Sequence, residues 1–498
     1  MKKIIYTALV GTLFVTASCV DLNQEPQSFL TEEEYLLTPK NAESVARSAA
    51  GLYNDLWQGN YGFNCRLMRI HTLGDDIVGS PTKAANVLNN YTTLNPALFA
   101  NDADFQSLWS AFYTTIFNSN KIINGTPIPT DAAHEKEAQA LKAVVGEAYF
   151  VRGLCYFYVA RLFGDAPLVL NNLTVSREQP RVSVAELYDQ AILPSMTKAV
   201  EWLPAISRTQ NSSSPSKWAA KACLADIYLT MAGWPLKKGA DYYAKAAAQA
   251  LDIINNGGLS LTSEYGDLWK EALKTNANEH LFALHHSALQ KVPSQYGKSF
   301  YPVDFFPKAG WADYYGNEQF MLKYPEGKRK NWNYMLQWPV GKDKVVNYKQ
   351  SRDGLPAISK YYDYNDGIPA NSAQSNGITP IYRYADVLLM YAEASNLATG
   401  AVNATALKCL QDVQRRAGVA TLTTTTNSTA FDEAVFAERG WEFLAEFKRW
   451  FDLVRREKVG EVKPTEYAGS LFKANNHYYL PVPYNEVQMT GWKNNAGY

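Results

Sequence analysis

Apolar residues recur at helical spacing along most of this chain, and this periodicity limits the possible folds more than any other feature. In residues 142–163 the apolar positions are three or four residues apart: Val144, Ala148, Val151, Cys155, Tyr158 and Leu162. Such spacing places them on one face of an α-helix. Gly164 and Pro167 follow, and they end a helix because glycine adopts the C-terminal turn and proline cannot continue it. The segment predicts a long helix with a buried face.

The same pattern predicts further helices. One begins at Ser214–Pro215, with the serine as its N-cap, and runs to Gly233. Others are predicted over residues 382–397, 431–456, 41–57, 104–124, 184–202, 240–255 and 404–417. Several are joined by short links, and small residues recur where helices would touch: Ala219, Ala222, Ala225 and Ala392. We therefore predict a mostly α fold with a tetratricopeptide-like scaffold of helical hairpins.

Two regions interrupt the helical pattern. Residues 59–102 and 289–380 are rich in Gly, Pro, Asn, Asp and aromatic residues and have no sustained helical period. The second is too long for a plain loop, because loops beyond about 15 residues are uncommon in compact domains. Ordered irregular segments on a rigid scaffold are where binding residues usually lie. We expect these two insertions to form a large, loop-rich ligand-binding region.

The first residues are typical of a secretory signal. Lys2 and Lys3 precede an apolar run over residues 4–15, and three small residues then precede Cys19. The run is shorter than the roughly 20 apolar residues that span a bilayer. A cysteine in this position is the residue that lipoprotein processing modifies with a diacylglycerol; a plain signal with an incidental cysteine is the alternative. We predict a lipoprotein signal in residues 1–18, lipidation at Cys19 and a single domain over residues 19–498.

The charge balance excludes two modes of binding. Removal of residues 1–18 takes away two lysines, so the mature chain has a net charge of 46 − 48 = −2. There is no basic surplus for nucleic acid and no polybasic tract for charge-driven membrane attachment. The lipid alone would therefore anchor the protein.

No sequence motif indicates catalysis or a resident metal. The cysteines after Cys19 fit neither a CxxC motif nor a zinc pattern: Cys65, Cys155, Cys223 and Cys409. The chain has no HExxH or GxSxG motif, and His285 and His286 would point to opposite sides of a strand. We predict no catalytic residue, no metal site and no cofactor. A glycosidase built from two distant carboxylates has no local motif, so that alternative stays open.

Four segments carry motifs that together are specific: residues 147–168 (EAYFVRGLCYFYVARLFGDAPL), 382–394 (YRYADVLLMYAEA), 438–455 (ERGWEFLAEFKRWFDLVR) and 479–487 (YLPVPYNEV), with NAGY at the C-terminus. With these segments the chain resembles the SusD/RagB family of outer-membrane nutrient-binding lipoproteins. Gly440 departs from the arginine that commonly follows the Glu-Arg pair. The resemblance implies scaffold roles, in ion pairs or helix caps, for seven charged residues: Arg152, Arg161, Asp165, Glu438, Arg439, Arg449 and Asp452.

The resemblance also implies a function. Such proteins are anchored in the outer membrane at the cell surface, where they cover a SusC-type TonB-dependent transporter. They capture an oligosaccharide or polysaccharide and deliver it to that transporter without catalysis. A peptide-capturing member of the same family is the alternative, and a surface glycoside hydrolase is a third possibility.

Aromatic rings beside amide and carboxylate groups identify candidate ligand residues. A sugar presents apolar C–H faces edged with hydroxyls, so its site needs flat platforms and polar partners. Residues 89–95 and 310–317 offer both, and we select Tyr91, Asn95, Trp311, Tyr314 and Tyr315. The alternative for Trp311 is a buried scaffold ring. The tryptophans on helical stripes are interpreted as core, as are Trp332 and Trp338: Trp57, Trp109, Trp218, Trp441 and Trp450.

Overall fold

Helices dominate the computed structural model. In chain order they are α1 (Ala42–Trp57), α2 (Ala103–Asn124), α3 (Glu135–Phe163), α4 (Val184–Leu187), α5 (Leu193–Trp202), α6 (Lys217–Ala232), α7 (Ala240–Asn256), α8 (Glu318–Lys323), α9 (Lys328–Asn333), α10 (Tyr384–Thr399), α11 (Ala404–Ala417), α12 (Ser428–Glu442), α13 (Arg449–Arg455), α14 (Val459–Val462) and α15 (Tyr484–Thr490). None of these helices is long and apolar enough to cross a bilayer.

The structure describes residues 41–57, 70–83, 91–99, 101–172, 179–276, 278–294, 296–307, 310–363, 376–423, 427–463, 472–473 and 477–498. They all belong to one compact unit that spans residues 40–498. The predicted signal segment and Cys19 lie outside the described residues, so they stay predictions.

The scaffold is a row of helices in which each packs against its neighbours. Helix α2 packs on α3, α3 on α5, α6 on α7, α7 on α10, and α10 on α11 and α12. Small residues allow close approach: a Cβ atom added to Gly153 of α3 would lie 3.1 Å from Cε of Met196 on α5. The predicted helical scaffold is confirmed.

Two predicted helix bounds were wrong. The N-cap of α6 is Ser216, whose Oγ accepts from the amide of Ala219 at 3.4 Å, and not Ser214. The predicted helix over residues 431–456 is broken between α12 and α13, where Ala445 and Phe447 have positive φ angles of 62° and 64°.

Tertiary donors explain this break. Lys360 Nζ donates to the carbonyls of Glu442 and Leu444 at 3.1 and 2.9 Å, and the Tyr361 hydroxyl donates to that of Ala445 at 2.8 Å. In an unbroken helix these carbonyls would accept hydrogen bonds from backbone amides four residues later. Because side chains from the second insertion satisfy them, the helix can end there and turn.

The strands pair only in twos within the described residues, and every pair is antiparallel. They are β1 (Ile77–Gly79), β2 (Ala166–Pro167), β3 (Arg181–Val182), β4 (His280–His285), β5 (Tyr314–Gly316), β6 (Tyr334–Met335), β7 (Gln337–Val340), β8 (Lys344–Asn347), β9 (Ala357–Ile358) and β10 (Ile378–Arg383). The pairs are β1–β5, β2–β3, β4–β10, β6–β9 and β7–β8. Most of these strands lie in the two insertions or at their edges.

Ion pairs account for most of the charged residues that the family resemblance assigns to the scaffold. Four such contacts are Arg161–Asp226 (3.5 Å), Arg329–Glu438 (2.5 Å), Arg439–Asp452 (2.9 Å) and Arg449–Asp75 (2.6 Å). Asp165 accepts from the amide of Val184 at the start of α4. Arg152 instead donates to Ser195 and Asn120.

Candidate functional site

The two insertions meet in one small sheet. Strand β1 pairs with β5 in the register Ile77–Gly316, Val78–Tyr315 and Gly79–Tyr314. Backbone hydrogen bonds extend the contact on both sides, from Ser80 N to Asp313 O and from Asn317 N to Asp76 O, each 2.9 Å. We call the surface formed by residues 76–82, 91–95, 310–317 and 352–353 the insertion junction. The sequence placed candidates in both insertions, and β1 and β5 join the two insertions.

Trp311 lies half-buried at this junction, held by its own backbone. Its amide donates to Lys298 O, and the amide of Ala312 donates to Tyr301 O, each at 2.9 Å. A Cβ atom on Gly310 would lie 2.0 Å from Tyr301 O, so only glycine fits immediately before the ring. This turn holds one large ring at the surface with part of its area open to solvent.

Tyr314 and Tyr315 are packed into the insertion. They are 2% and 3% exposed. The ring of Tyr314 lies 5.6 Å from that of Phe300, and the Tyr315 hydroxyl donates to Asp353 at 2.7 Å. Successive side chains of β5 point to opposite faces of the strand, and both rings are covered, so neither offers an open face in this structure. Their role as platforms stays a prediction that burial does not favour.

The first-insertion candidates differ from each other in burial. Tyr91 is fully buried: its ring stacks on Phe105 and its hydroxyl donates to the carboxylate of Asp102. Asn95 is half-buried, just before a 3-10 turn at Pro96–Leu98. Ligand contact by either residue remains a prediction, and the accessible position of Asn95 suits it better than the interior position of Tyr91.

Asp353 forms a polar centre that sequence reasoning missed. Its carboxylate accepts from Ser80 Oγ at 3.1 Å, from the Thr82 hydroxyl, and from Arg352 Nη2 at 2.7 Å, in addition to Tyr315. Burial alone would raise the pKa of Asp353, but these hydrogen bonds outweigh it and the pKa lies below its ordinary value. Thr82 and Arg352 are exposed and so present polar groups at the junction. The Asp-Gly turn at residues 353–354 was the only sequence signal.

A buried ion pair fixes β1 to the scaffold. Arg449, at the start of α13, donates from Nε to Asp75 Oδ1 at 2.6 Å and from Nη2 to Oδ2 at 2.8 Å. The next residue, Asp76, is also buried, and burial raises its pKa to about 7, with the charge of Asp75 adding to the effect. The junction therefore has a rigid base, which favours preorganised binding.

The side chains that could hold a metal ion are not grouped in the described part of the chain. Among the residues that the structure describes, no group of three or more His, Cys, Asp or Glu side chains could hold a metal ion. His285 contacts Ser212 Oγ at 2.8 Å, whereas His286 contacts Thr379 Oγ1 at 2.9 Å. The two histidines thus have separate partners, as their adjacency predicts.

Comparisons with known proteins agree over nearly the whole chain. A model of the SusD family matches residues 295–498, and a model described as starch-binding, associating with the outer membrane, matches residues 32–229. The SusD-like protein P2 of Formosa agariphila is 27% identical, with both chains covered completely.

Solved structures have the same fold. A SusD superfamily protein from Parabacteroides distasonis is 25% identical and superposes with a TM-score of 0.77 over 94% of this chain and 100% of that one. A laminarin-binding SusD-like protein, 21% identical, superposes with a TM-score of 0.73 over 92% and 99% of the two chains.

Proposed function

Because this chain belongs to the SusD/RagB family, we propose that it captures an oligosaccharide or polysaccharide at the cell surface and delivers it to a TonB-dependent transporter of the outer membrane. Capture involves no catalysis. One observation carries the proposal: the two insertions pair through β1 and β5 in a junction that also contains the half-buried Trp311 and the exposed Thr82 and Arg352.

The junction matches the surface of a sugar. The open part of Trp311 can stack on the apolar C–H face of a pyranose. Thr82, Asn95 and Arg352 supply hydroxyl, amide and guanidinium groups for the ring hydroxyls. Starch binding by the family that matches residues 32–229 and laminarin binding by one similar protein support the same class of ligand.

Anchoring and delivery complete the proposal. The thiol of Cys19 would carry the lipid, and an acyl chain gains about 0.8 kcal/mol for each CH₂ group it buries in the membrane. The partner would be a SusC-type barrel beneath the anchored domain. Family membership supports this partner, and the outer-membrane association of the family that matches residues 32–229 supports the location.

Calorimetric titration of residues 20–498 against neutral and acidic oligosaccharides and mixed peptides tests the proposal. We expect saturable binding of one glycan. Trp311→Ala should weaken this binding by about tenfold or more. That is the scale of stacking on an aromatic side chain, which contributes about 1–3 kcal/mol for a nucleic-acid base. Trp202→Ala is the matched control, since Trp202 is also half-buried but lies at the end of α5 on the scaffold. It should leave the affinity unchanged.

Other outcomes of the same titration would contradict the proposal. Binding of peptides alone would favour the peptide-capturing alternative, in which an extended backbone supplies the hydrogen bonds. Release of shorter sugars, abolished by substitution of one Asp or Glu, would indicate a glycoside hydrolase. Equal losses in Trp311→Ala and Trp202→Ala would remove the junction from the binding site.

A further inference from the structure

One cavity is lined by residues outside the insertion junction. It has a volume of about 500 Å³ and opens between α1, the loop after α5 and strand β4. This is within the range of small-molecule sites, about 300–1,000 Å³. One wall is apolar, with Tyr53, Leu284 and Val292, and the rim is polar. None of its lining residues belongs to the junction.

The loop that forms one rim is internally braced. The side chain of Asn211 donates to Thr209 O at 3.0 Å and accepts from Ser213 N at 2.8 Å. The carbonyl of Ser212 accepts from Ala283 N of β4 at 2.9 Å, which ties the loop to that strand. The rim is thus fixed before any ligand arrives, which lowers the entropy cost of binding.

Arg208 lines the cavity and forms an ion pair with Glu147, so the pair has no net charge. Its Nε and Nη2 donate to Glu147 of α3 at 2.7 and 3.0 Å, and the Tyr53 hydroxyl donates to the same carboxylate. Glu147 does not line the cavity. Arg208 is therefore held in place with its charge balanced.

Lys274 gives the cavity an unbalanced positive charge. Its ammonium donates to the carbonyls of His286 and Asn376 at 2.7 and 2.6 Å, and two bonds leave one of its three N–H groups. No Asp or Glu among the described residues lines the cavity. The charge of Glu271 raises the pKa of Lys274, but the two described side chains are too far apart to form an ion pair. Burial lowers the pKa of Lys274, as expected for a cation without a paired anion. Burial also lowers the pKa of His285 to about 4, so that ring is neutral at pH 7.

We propose that this cavity binds an anionic sugar unit, a pyranose that carries a carboxylate or sulfate group. The anion meets Lys274, the hydroxyls meet Asn54, Thr209 and Gln290, and the ring lies along the apolar wall. This proposal rests on the proposed function in one respect, because both take the ligand to be a sugar. It adds a second site with a preference for acidic units.

Calorimetric titration of residues 20–498 with D-glucuronate, D-glucose 6-sulfate, D-glucose and sodium sulfate, at matched ionic strength, tests this site. We expect saturable binding of the two anionic sugars and none of glucose. Lys274→Met should weaken that binding about tenfold or more, the scale for loss of a charge-assisted hydrogen bond. Lys291→Met removes the same charge from an exposed position that does not line the cavity and should have no effect.

Several results would overturn the proposal. Equal binding of glucose and glucuronate would remove the anion preference, and sulfate binding as tight as that of the sugars would remove the sugar. Equal losses in Lys274→Met and Lys291→Met would indicate a general charge effect. If thermal unfolding shows that Lys274→Met is misfolded, Gln290→Ala on the exposed rim should still weaken binding by about fivefold; no loss would count against the cavity.

Trp311→Ala separates the two proposals. It should weaken glycan capture at the junction by about tenfold or more and leave glucuronate binding intact, because Trp311 does not line this cavity. If the junction fails to bind glycan but Lys274-dependent binding persists, only the function proposed for the junction fails. If glycan capture depends on Trp311 but glucuronate does not bind, only the second site fails.

Discussion

Asp76 is a buried carboxyl whose ionisation opposes folding. It is 2% exposed, and its Oδ1 has no hydrogen-bond partner among the described residues. Burial raises its pKa from 3.8 to about 7. Between these two values the folded state holds the proton and the unfolded state does not, so the free energy of unfolding falls as pH rises. The total loss is on the order of 4 kcal/mol, at about 1.4 kcal/mol for each pH unit.

Asp76→Asn removes this titration. Relative to the wild-type protein, the variant should gain stability between about pH 4 and pH 8, by a few kcal/mol. Urea unfolding at about pH 4, 6 and 8 measures the difference. Asp343→Asn, an exposed aspartate between β7 and β8, is the control and should follow the wild-type pH dependence. Parallel curves for Asp76→Asn and wild type would contradict the assignment of the raised pKa to Asp76.

At single positions, the sequence identifies the aromatic residues but does not show which of them are buried. Of the tryptophans interpreted as core, Trp109, Trp338 and Trp450 are buried, whereas Trp218, Trp332 and Trp441 are half-buried against the core. Trp311 and Tyr314 stand in one glycine-flanked segment, yet only Trp311 is open. Trp311 precedes β5, and the positive φ of 51° at Ala312 turns the chain between the two residues; this turn has no local sequence signal.

Among the elements, α12 carries the densest buried charge. Glu442 accepts from Arg329 and Arg383 at 2.6 Å each and from Arg416 at 2.5 Å. Burial by itself would raise the pKa of Glu442, but the three guanidinium groups hold it far below the ordinary value. These arginines come from α9, β10 and α11, so one carboxylate joins the second insertion to the scaffold.

Glu442→Gln should therefore destabilise the fold strongly. Loss of one partner in a buried network leaves an uncompensated charge and costs about 3–5 kcal/mol. The effect should be complete near neutral pH and shrink as pH falls below the unfolded value of 4.5 toward the depressed pKa, because the unfolded wild-type carboxylate then binds a proton that the folded one does not. Urea unfolding of the two proteins at several pH values measures it.

Glu433→Gln is the control on the same helix. Glu433 is 53% exposed and pairs with Lys458 at 2.7 Å. An exposed pair contributes at most about 1 kcal/mol, so this variant should unfold almost as the wild type does. Similar losses in Glu433→Gln and Glu442→Gln would show that the buried network does not join the elements as inferred.

The same helix marks the limit of periodicity. Phe443, Phe447, Trp450 and Val454 have helical spacing, so the sequence predicts one helix through them. The chain turns instead, because Lys360 and Tyr361 of the second insertion take the carbonyls at residues 442–445. The competing donors lie far away in sequence, and a local pattern contains no information about them.

For the whole molecule, the division into a helical scaffold and two irregular insertions follows from the sequence, but the assembly of the insertions does not. Strands β1 and β5 are three residues each and far apart in the chain. Such short strands have almost no periodic signal of their own. Their pairing depends on the scaffold, which positions both insertions, and on the Asp75–Arg449 ion pair, which fixes β1. The region of the candidate site thus follows from the sequence and its contacts do not, while the ligand role of Trp311 stays a prediction.

The proposed anchoring depends on one residue outside the described part of the chain. With a net charge of 46 − 48 = −2 after removal of the predicted signal, the mature protein would have no basic surplus to attract anionic lipid. Attachment should then depend on the lipid at Cys19 and on the transporter.

In cells that lack the partner barrel, Cys19→Ala should move the protein from the membrane fraction to the soluble fraction, and the released protein should bind glycan with unchanged affinity. Cys65→Ala, a cysteine outside the signal, is the matched control and should stay with the membrane. A Cys19→Ala protein that remains membrane-bound without its partner would show that another part of the chain provides the anchor.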